Sequence, residues 1–145
     1  VIREATLDDF DGVIRLYRQL HPYDTVLTDG SDRLIFESIV AAEHLHLLVL
    51  DEDGELVATT YLNLIPNLSR SAAPYAVIEN VVVEQTRRGT GLGKRMMAAT
   101  LRRAWEAGCY KAMLMTGSRT PATHAFYRAC GFDPDAKTAY LARPS

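Results

Sequence analysis

The chain has 145 residues, 48% of them hydrophobic and 23% charged. That is the balance of one globular domain able to build its core without disulfides or a structural metal. The net charge of −2 excludes a uniformly basic nucleic-acid binder and an acidic disordered tail, but it hides an asymmetry. Residues 1–60 carry 13 acids and 4 bases, net −9, and residues 61–145 carry 5 acids and 12 bases, net +7.

Val1–Ala5 reads as a short strand; it is charged, unlike a secretory leader. Asp8 and Asp9 offer N-caps to a helix with Phe10, Val13, Ile14, Tyr17 and Leu20 at helical spacing. A loop from His21 to Gly30 follows. Ser31 or Asp32 caps a second helix to about Ala42, with Leu34, Ile35 and Ile39 expected inward. His46–Leu50 and Glu55–Ile65 read as strands joined by a hairpin whose Asp53-Gly54 pair suits positive φ. Pro66–Pro74 is a polar loop. Tyr75–Val83 is an almost wholly apolar strand, interrupted only by Glu79 and Asn80.

Next comes Arg88-Gly89-Thr90-Gly91-Leu92-Gly93, opening into a helix to about Ala107. Its buried face is expected at Leu92, Met96, Met97, Leu101, Ala104 and Trp105. Lys111–Met115 reads as a strand. Thr120-Pro121 starts a last helix ending at Cys130-Gly131, and Thr138–Ala142 is expected as a final strand. Consecutive short connections predict antiparallel pairing, and the strand–helix–strand after Tyr75 predicts a parallel crossover. The expected fold is α/β: a single domain over 1–145, with a mixed, mostly antiparallel sheet flanked by helices.

No apolar run approaches the roughly 20 residues of a membrane span, so no membrane partner is expected. Cys109 and Cys130 have neither CxxC nor metal-site spacing, and the four histidines are scattered. The expectation is a reduced cytoplasmic protein with no metal.

A strand, alternating glycines and a helix N-terminus form an anion-binding arrangement, because backbone N–H groups converge where the helix carries partial positive charge. From Arg87 to Arg103 there are six bases and no acid. The phosphate loop GxxxxGK[ST] fails here, since Arg88 stands at the first Gly position and Arg95 at the Ser/Thr position. The dinucleotide fingerprint GxGxxG fails on spacing. The basic run has no interleaved aromatics to stack bases, so no nucleic-acid partner is expected.

Arg88-x-x-Gly91-x-Gly93 resembles the Q/R-x-x-G-x-G/A signature of the GNAT superfamily of N-acetyltransferases. Val81-Val82-Val83 is similar to the splayed strand before that signature. Ala125–Phe132, which ends F-Y-x-x-x-G-F, is similar to the family's later helix motif. Ile78–Val83 together with Gly108–Lys111 resembles the branch containing glucosamine-phosphate N-acetyltransferases.

The resemblance implies an enzyme with acetyl-CoA as cosubstrate. The diphosphate would sit on the backbone of Arg88, Gly89, Thr90, Gly91, Leu92, Gly93 and Lys94, and the pantetheine arm along Val81, Val82 and Val83. It implies direct transfer to a primary amine: a small amine, an amino sugar or a peptide amine. The branch implies a homodimer. An acyl-CoA-binding sensor or scaffold with the same fold is the competing expectation.

Transfer to an amine needs a base, because an alkylammonium with a pKa near about 10 is not nucleophilic at pH 7. Glu79, a carboxylate among apolar neighbours, is the base candidate, directly or through water; the bland alternative is a solvated or Arg-paired carboxylate. Tyr127 matches the family's tyrosine that protonates the departing thiolate and contacts the cofactor; the bland alternative is a packed aromatic. Thr120 stands where the family often has a cofactor-contacting Asn, and its hydroxyl makes fewer hydrogen bonds, with Ser118 and Arg119 as substitutes. Cys130 is read as a small packed residue, not a nucleophile. The acceptor side is expected in two loops, at His21, Tyr23 and Asp24, and at Asn67, Ser69, Arg70 and Ser71. The acidic first half would suit a cationic amine better than an anionic one.

Overall fold

The Asp53-Gly54 hairpin sets the register of the sheet. Both turn residues take positive φ, 53° and 91°, and the Gly54 N–H donates to Asp51 Oδ1 at 2.8 Å. Such a two-residue turn matches the natural twist of paired strands. It joins β2 (Leu45–Glu52) to β3 (Glu55–Ile65). The computed structural model describes all of residues 1–145. Val1–Met115 forms one compact unit and Thr116–Ser145 another.

The first unit holds five strands in the order β1-β2-β3-β4-β5, with β1 at Ile2–Glu4, β4 at Tyr75–Val83 and β5 at Ala112–Met113. The first four are mutually antiparallel, and β5 lies parallel to β4. This is the mixed, mostly antiparallel sheet expected from the pattern of connections.

Helix α1 (Phe10–Leu20) starts after a 3-10 turn, where Asp9 accepts from Thr6 N–H at 2.7 Å and from Arg3 at 2.7 and 3.0 Å. The Arg3 bonds hold the Asp9 carboxyl below its ordinary range. Helix α2 spans Ser31–Ala41, and α4 spans Leu92–Glu106. One face of the sheet buries Val13, Leu16, Phe36, Leu47, Val49, Leu56 and Val82, with Tyr17 and Tyr61 at its margin. The other buries Leu48, Leu50, Val57 and Ala58 against Leu92 and Met96. Each such side chain is worth about 1.5–3 kcal/mol relative to exposure. Gly12 lets α1 approach β3: a Cβ there would stand 2.8 Å from Leu56 Cδ1.

Three sequence expectations are corrected. Leu34 and Ile35 face solvent and Phe36 takes the core position, a phase error of one residue, or 100° on a helix. Trp105 is 50% exposed, whereas Thr100 is fully buried because its hydroxyl is satisfied by Thr60 at 2.7 Å and Met96 carbonyl at 2.8 Å. The segment 138–142 is not a strand, and Tyr140 is 92% exposed. Alternating residues become a strand only with a hydrogen-bonding neighbour, and the second unit contains no other strand.

The second unit is built on α5 (Pro121–Ala129). Thr120 precedes it as N-cap and Pro121 occupies its first position, where the missing N–H costs nothing. Gly131 at φ 97° lets the Phe132 N–H return to the Tyr127 carbonyl at 3.0 Å, closing the helix.

Candidate active site

The interruption that Glu79 and Asn80 make in an apolar strand has a structural counterpart. Tyr61 faces Glu79 and Thr59 faces Val82, so Asn80 and Val81 together oppose Thr60 alone. That two-against-one count is a β-bulge. Asn80 absorbs it with a φ of 50°, a left-handed value that Asn tolerates better than most residues. Glu79 is half-buried beside the bulge.

The bulge coincides with a parting of strands. β4 pairs with β5 only at Ala76↔Ala112 and Val77↔Met113. From Ile78 to Val83 no strand covers that edge, so the β4 main chain keeps N–H and C=O groups available for an extended ligand. The Arg88 Nε takes one of them, the Val83 carbonyl, at 3.2 Å.

Beyond β4, Glu84 fixes the exit. Its carboxylate accepts from Thr86 N–H at 2.6 Å and Gln19 Nε2 at 2.9 Å, and pairs with Arg15 at 3.4 Å. The Thr86 bonds, then Gln19 and Arg15, pull the Glu84 pKa down to about 2. The Gln85 N–H returns to Gln19 Oε1 at 2.9 Å. The turn is thereby tied to α1 before its glycines begin.

Gly89 and Gly91 have φ of 77° and 87°, and no atom lies within 4 Å of where a Cβ would stand on either. Gly91 is the N-cap of α4, and its first turn contains no acid. Leu92 anchors the turn in the core at 6% exposure, while Arg88, Thr90 and Lys94 stay exposed. Open space, unhindered backbone and a helix N-terminus fit an anionic diphosphate. The basic run divides in two. Arg87 is paired with Glu52, and Arg103 with Glu4 at 3.1 Å, whereas Arg88, Lys94, Arg95 and Arg102 have no carboxylate partner. A cavity of about 430 Å³ lies away from the turn, between α4 and β1, and is lined by Arg3, Arg95, Arg102 and Arg103.

In the first unit the structure thus brings Glu79, Val81–Val83 and Arg88–Lys94 onto one strand–turn–helix. A smaller cavity, about 160 Å³, is lined by Tyr17, His21, Asp24 and Asp32. Of the loop residues expected there, His21 and Asp24 contribute and Tyr23 is 98% exposed. Asn67, Ser69 and Ala73 bond among themselves.

In the second unit, Thr120 and Tyr127 share α5 and its cap. The Thr120 hydroxyl lies 2.7 Å from the Thr123 hydroxyl and 3.1 Å from Ser118 Oγ. Tyr127 packs on Phe126 and Phe132, and burial, with Cys130 beside it, pushes its phenol upward. A phenol held neutral can donate a proton.

Sequence reasoning missed the Glu84 latch. Asn80 carried a signal, a second polar residue in a row inside an apolar strand. Glu84 carried none, because Gln19 and Arg15, which tie it to α1, lie 65 and 69 residues away.

The Acetyltransferase (GNAT) family model matches residues 10–132. The chain belongs to this family. It is an N-acetyltransferase, and acetyl-CoA is the donor that the family uses. Over 135 residues it is 33% identical to glucosamine 6-phosphate N-acetyltransferase 1 of Oryza sativa subsp. japonica, covering 90% of this chain and 79% of that one. It is 28% identical to the aminoglycoside N(6')-acetyltransferase type 1 of Stenotrophomonas maltophilia, covering 99% and 92%. Among solved structures, a chain from Agrobacterium tumefaciens str. C58, provisionally described as an acetyltransferase, has 42% identity and a TM-score of 0.94, covering 99% of both chains. The N-acetyltransferase motifs read from residues 81–93 and 125–132 are those of a family member.

Proposed function

We propose that this N-acetyltransferase moves an acetyl group from acetyl-CoA to a primary amine by direct transfer in a ternary complex. The observation that carries this reading is β4 itself. One strand presents a carboxylate at Glu79, an uncovered main-chain edge to Val83 and, through Glu84, the glycine turn. Acetyl-CoA supplies a thioester-activated acetyl group. The N–H groups of Arg88, Gly89, Thr90, Gly91, Leu92, Gly93 and Lys94 hold its diphosphate, and the main chain of Val81, Val82 and Val83 pairs with its pantetheine arm. A β4 N–H polarises the acetyl carbonyl. Glu79 takes the amine proton, directly or through water, and Tyr127 gives a proton to the leaving sulfur. The Thr120 hydroxyl contacts the donor. In this reading residues 1–145 act as one catalytic domain, as a homodimer, in the cytoplasm. The acceptor belongs with the amino sugars and aminoglycosides named for the relatives.

The test is thiol release with glucosamine 6-phosphate, kanamycin and a peptide amine. Glu79→Gln is expected to lower kcat by about 10²–10⁴-fold with little change in the KM for acetyl-CoA. Tyr127→Phe is expected to lower kcat less. Tight acetyl-CoA binding with no turnover on any amine would make the protein a sensor instead.

A further inference from the structure

Helix α4 turns Met96, Met97, Thr100 and Ala104 into the core. Beside that face runs a second one: Arg95, Ala98, Ala99, Arg102, Arg103 and Glu106, at the spacing of one helix side. Two alanines thus stand between arginines, and small side chains flanked by long ones make a hollow. The sheet supplies the opposite wall. Helix α4 packs on β3, β4 and β2, and β1 lies beyond its edge. Ile2 and Leu48 are the apolar floor there. The result is the cavity of about 430 Å³. Its lining follows α4 from Arg95 to Glu106, roughly 16 Å of helix. That volume over that length suits one extended chain better than a compact ring system.

The charges of the lining are not equivalent. Arg3 is neutralised by Asp9 and Asp51, at 2.7 and 2.9 Å. Arg103 gives Nη2 to Glu4 at 3.1 Å, and Glu4 also holds His46 Nδ1 at 2.5 Å. The guanidinium groups of Arg95 and Arg102 have neither an ion pair nor a hydrogen bond. They are seven residues apart, so they leave the helix on one side, about 10 Å apart along its axis. No acid stands between them in the sequence, and Glu106, one turn past Arg102, ends the basic stretch. A pair of exposed arginines ordinarily only solvates a helix. This pair brackets an apolar hollow.

We propose that the groove between α4 and β1 is a binding site for an elongated organic dianion, two acidic groups joined by an apolar chain. Arg95 and Arg102 take its two ends, and Ala98, Ala99, Ile2 and Leu48 line its middle. Guanidinium groups suit this task, because each can hold a carboxylate or phosphate through two parallel hydrogen bonds. A dianion that is too short reaches one arginine, and one that overshoots Arg102 meets the Glu106 carboxylate. The groove is separate from the glycine turn, which lies at the N-terminus of α4.

The experiment is calorimetry of the whole chain with succinate, sebacate and decanoate, each with and without acetyl-CoA. Sebacate has two charges at the wider spacing, succinate has them close together, and decanoate has the chain with one charge. Sebacate is expected to bind at least about tenfold more tightly than either of the others. Arg95→Gln and Arg102→Gln should each weaken sebacate about fivefold or more and remove its advantage over decanoate. Ala98→Leu keeps every charge, fills the hollow and should weaken sebacate as much. Glu106→Gln should tighten sebacate about twofold, a gain that damage to the fold does not produce. Thermal melts confirm that the variants are folded, and Arg102→Gln and Ala98→Leu should leave acetyl-CoA affinity unchanged. Equal or absent binding of the three anions overturns the inference, as does a sebacate preference that survives in Arg102→Gln. Displacement of sebacate by acetyl-CoA overturns it too, because the anion would then occupy the donor site.

Discussion

The connection into β4 and the connection out of it both run through left-handed backbone, by opposite means. On the way in, the single turn α3 (Ser69–Ala72) places Arg70, Ser71 and Ala72 at φ of 57°, 60° and 61°. For residues with a Cβ that conformation costs roughly 1–2 kcal/mol each. The turn is held by its own side chains. Asn67 Nδ2 donates to the Ser69 carbonyl at 2.9 Å and the Ala73 carbonyl at 3.3 Å, and the Arg70 guanidinium stacks 5.5 Å over Tyr110. Lys111 sits 5.2 Å over both Tyr75 and Tyr110. On the way out, Gly89 and Gly91 adopt the same sign of φ without a side chain, and the space beside them stays empty. A turn that satisfies itself is scaffold; a turn that leaves its N–H groups and surroundings open is equipped to hold a ligand.

The largest effect should come from filling the open turn. Gly91→Val puts a branched side chain at φ 87° and into the empty cradle. Calorimetry should show acetyl-CoA binding at least about tenfold weaker, combining strain and occlusion. Gly108 is the control, because it has φ 84° and equally open space but lies past the end of α4. Gly108→Ala should melt lower by about the same strain yet bind acetyl-CoA normally. Equal loss of binding in both variants would break the contrast between the two turns.

A smaller effect concerns the Glu84 latch. Its carboxyl has a folded pKa depressed to about 2, so its stabilising contribution is complete above the ordinary carboxylate range. It is lost as pH falls from that range through about 2. Melting curves from pH 6 to pH 2 should fall steeply in wild type and more gently in Glu84→Gln. The self-satisfied turn gives the smallest effects. Asn67→Ala should cost about 1 kcal/mol from the lost hydrogen bonds, and Ser71→Gly should gain up to about 1 kcal/mol by relieving a left-handed Ser. Chemical denaturation measures both, and neither variant should alter acetyl-CoA affinity.

The same contrast explains what could be read from residues alone. The open turn announced itself, because glycines at alternate positions before a helix are a local pattern. The Asp53-Gly54 hairpin and the bounds of β3 and β4 were legible for the same reason. The turn at Ser69–Ala72 was not, since Arg, Ser and Ala give no hint of positive φ and their support comes partly from Tyr110. Helix phase failed at Leu34, Ile35 and Trp105, where apolar residues outnumber the positions a sheet face can cover. The Glu84 latch joins α1 to the end of β4, and no window of sequence contains both sides. Local chemistry was legible, and the tertiary links that orient it were not.

Sheets are ordinarily complete inside and unfinished at their rims. Here part of the rim is β4 itself, from Ile78 to Val83, where β4 continues and β5 has stopped. A foreign strand can dock on a rim, which makes rims an aggregation hazard. On the proposed binding mode, the donor is the missing piece of the sheet, and its concentration becomes part of the protein's own stability. A hundredfold excess over Kd would add about 2.7 kcal/mol. The cell's supply of acetyl-CoA would then set how firmly this fold holds together as well as how fast it works.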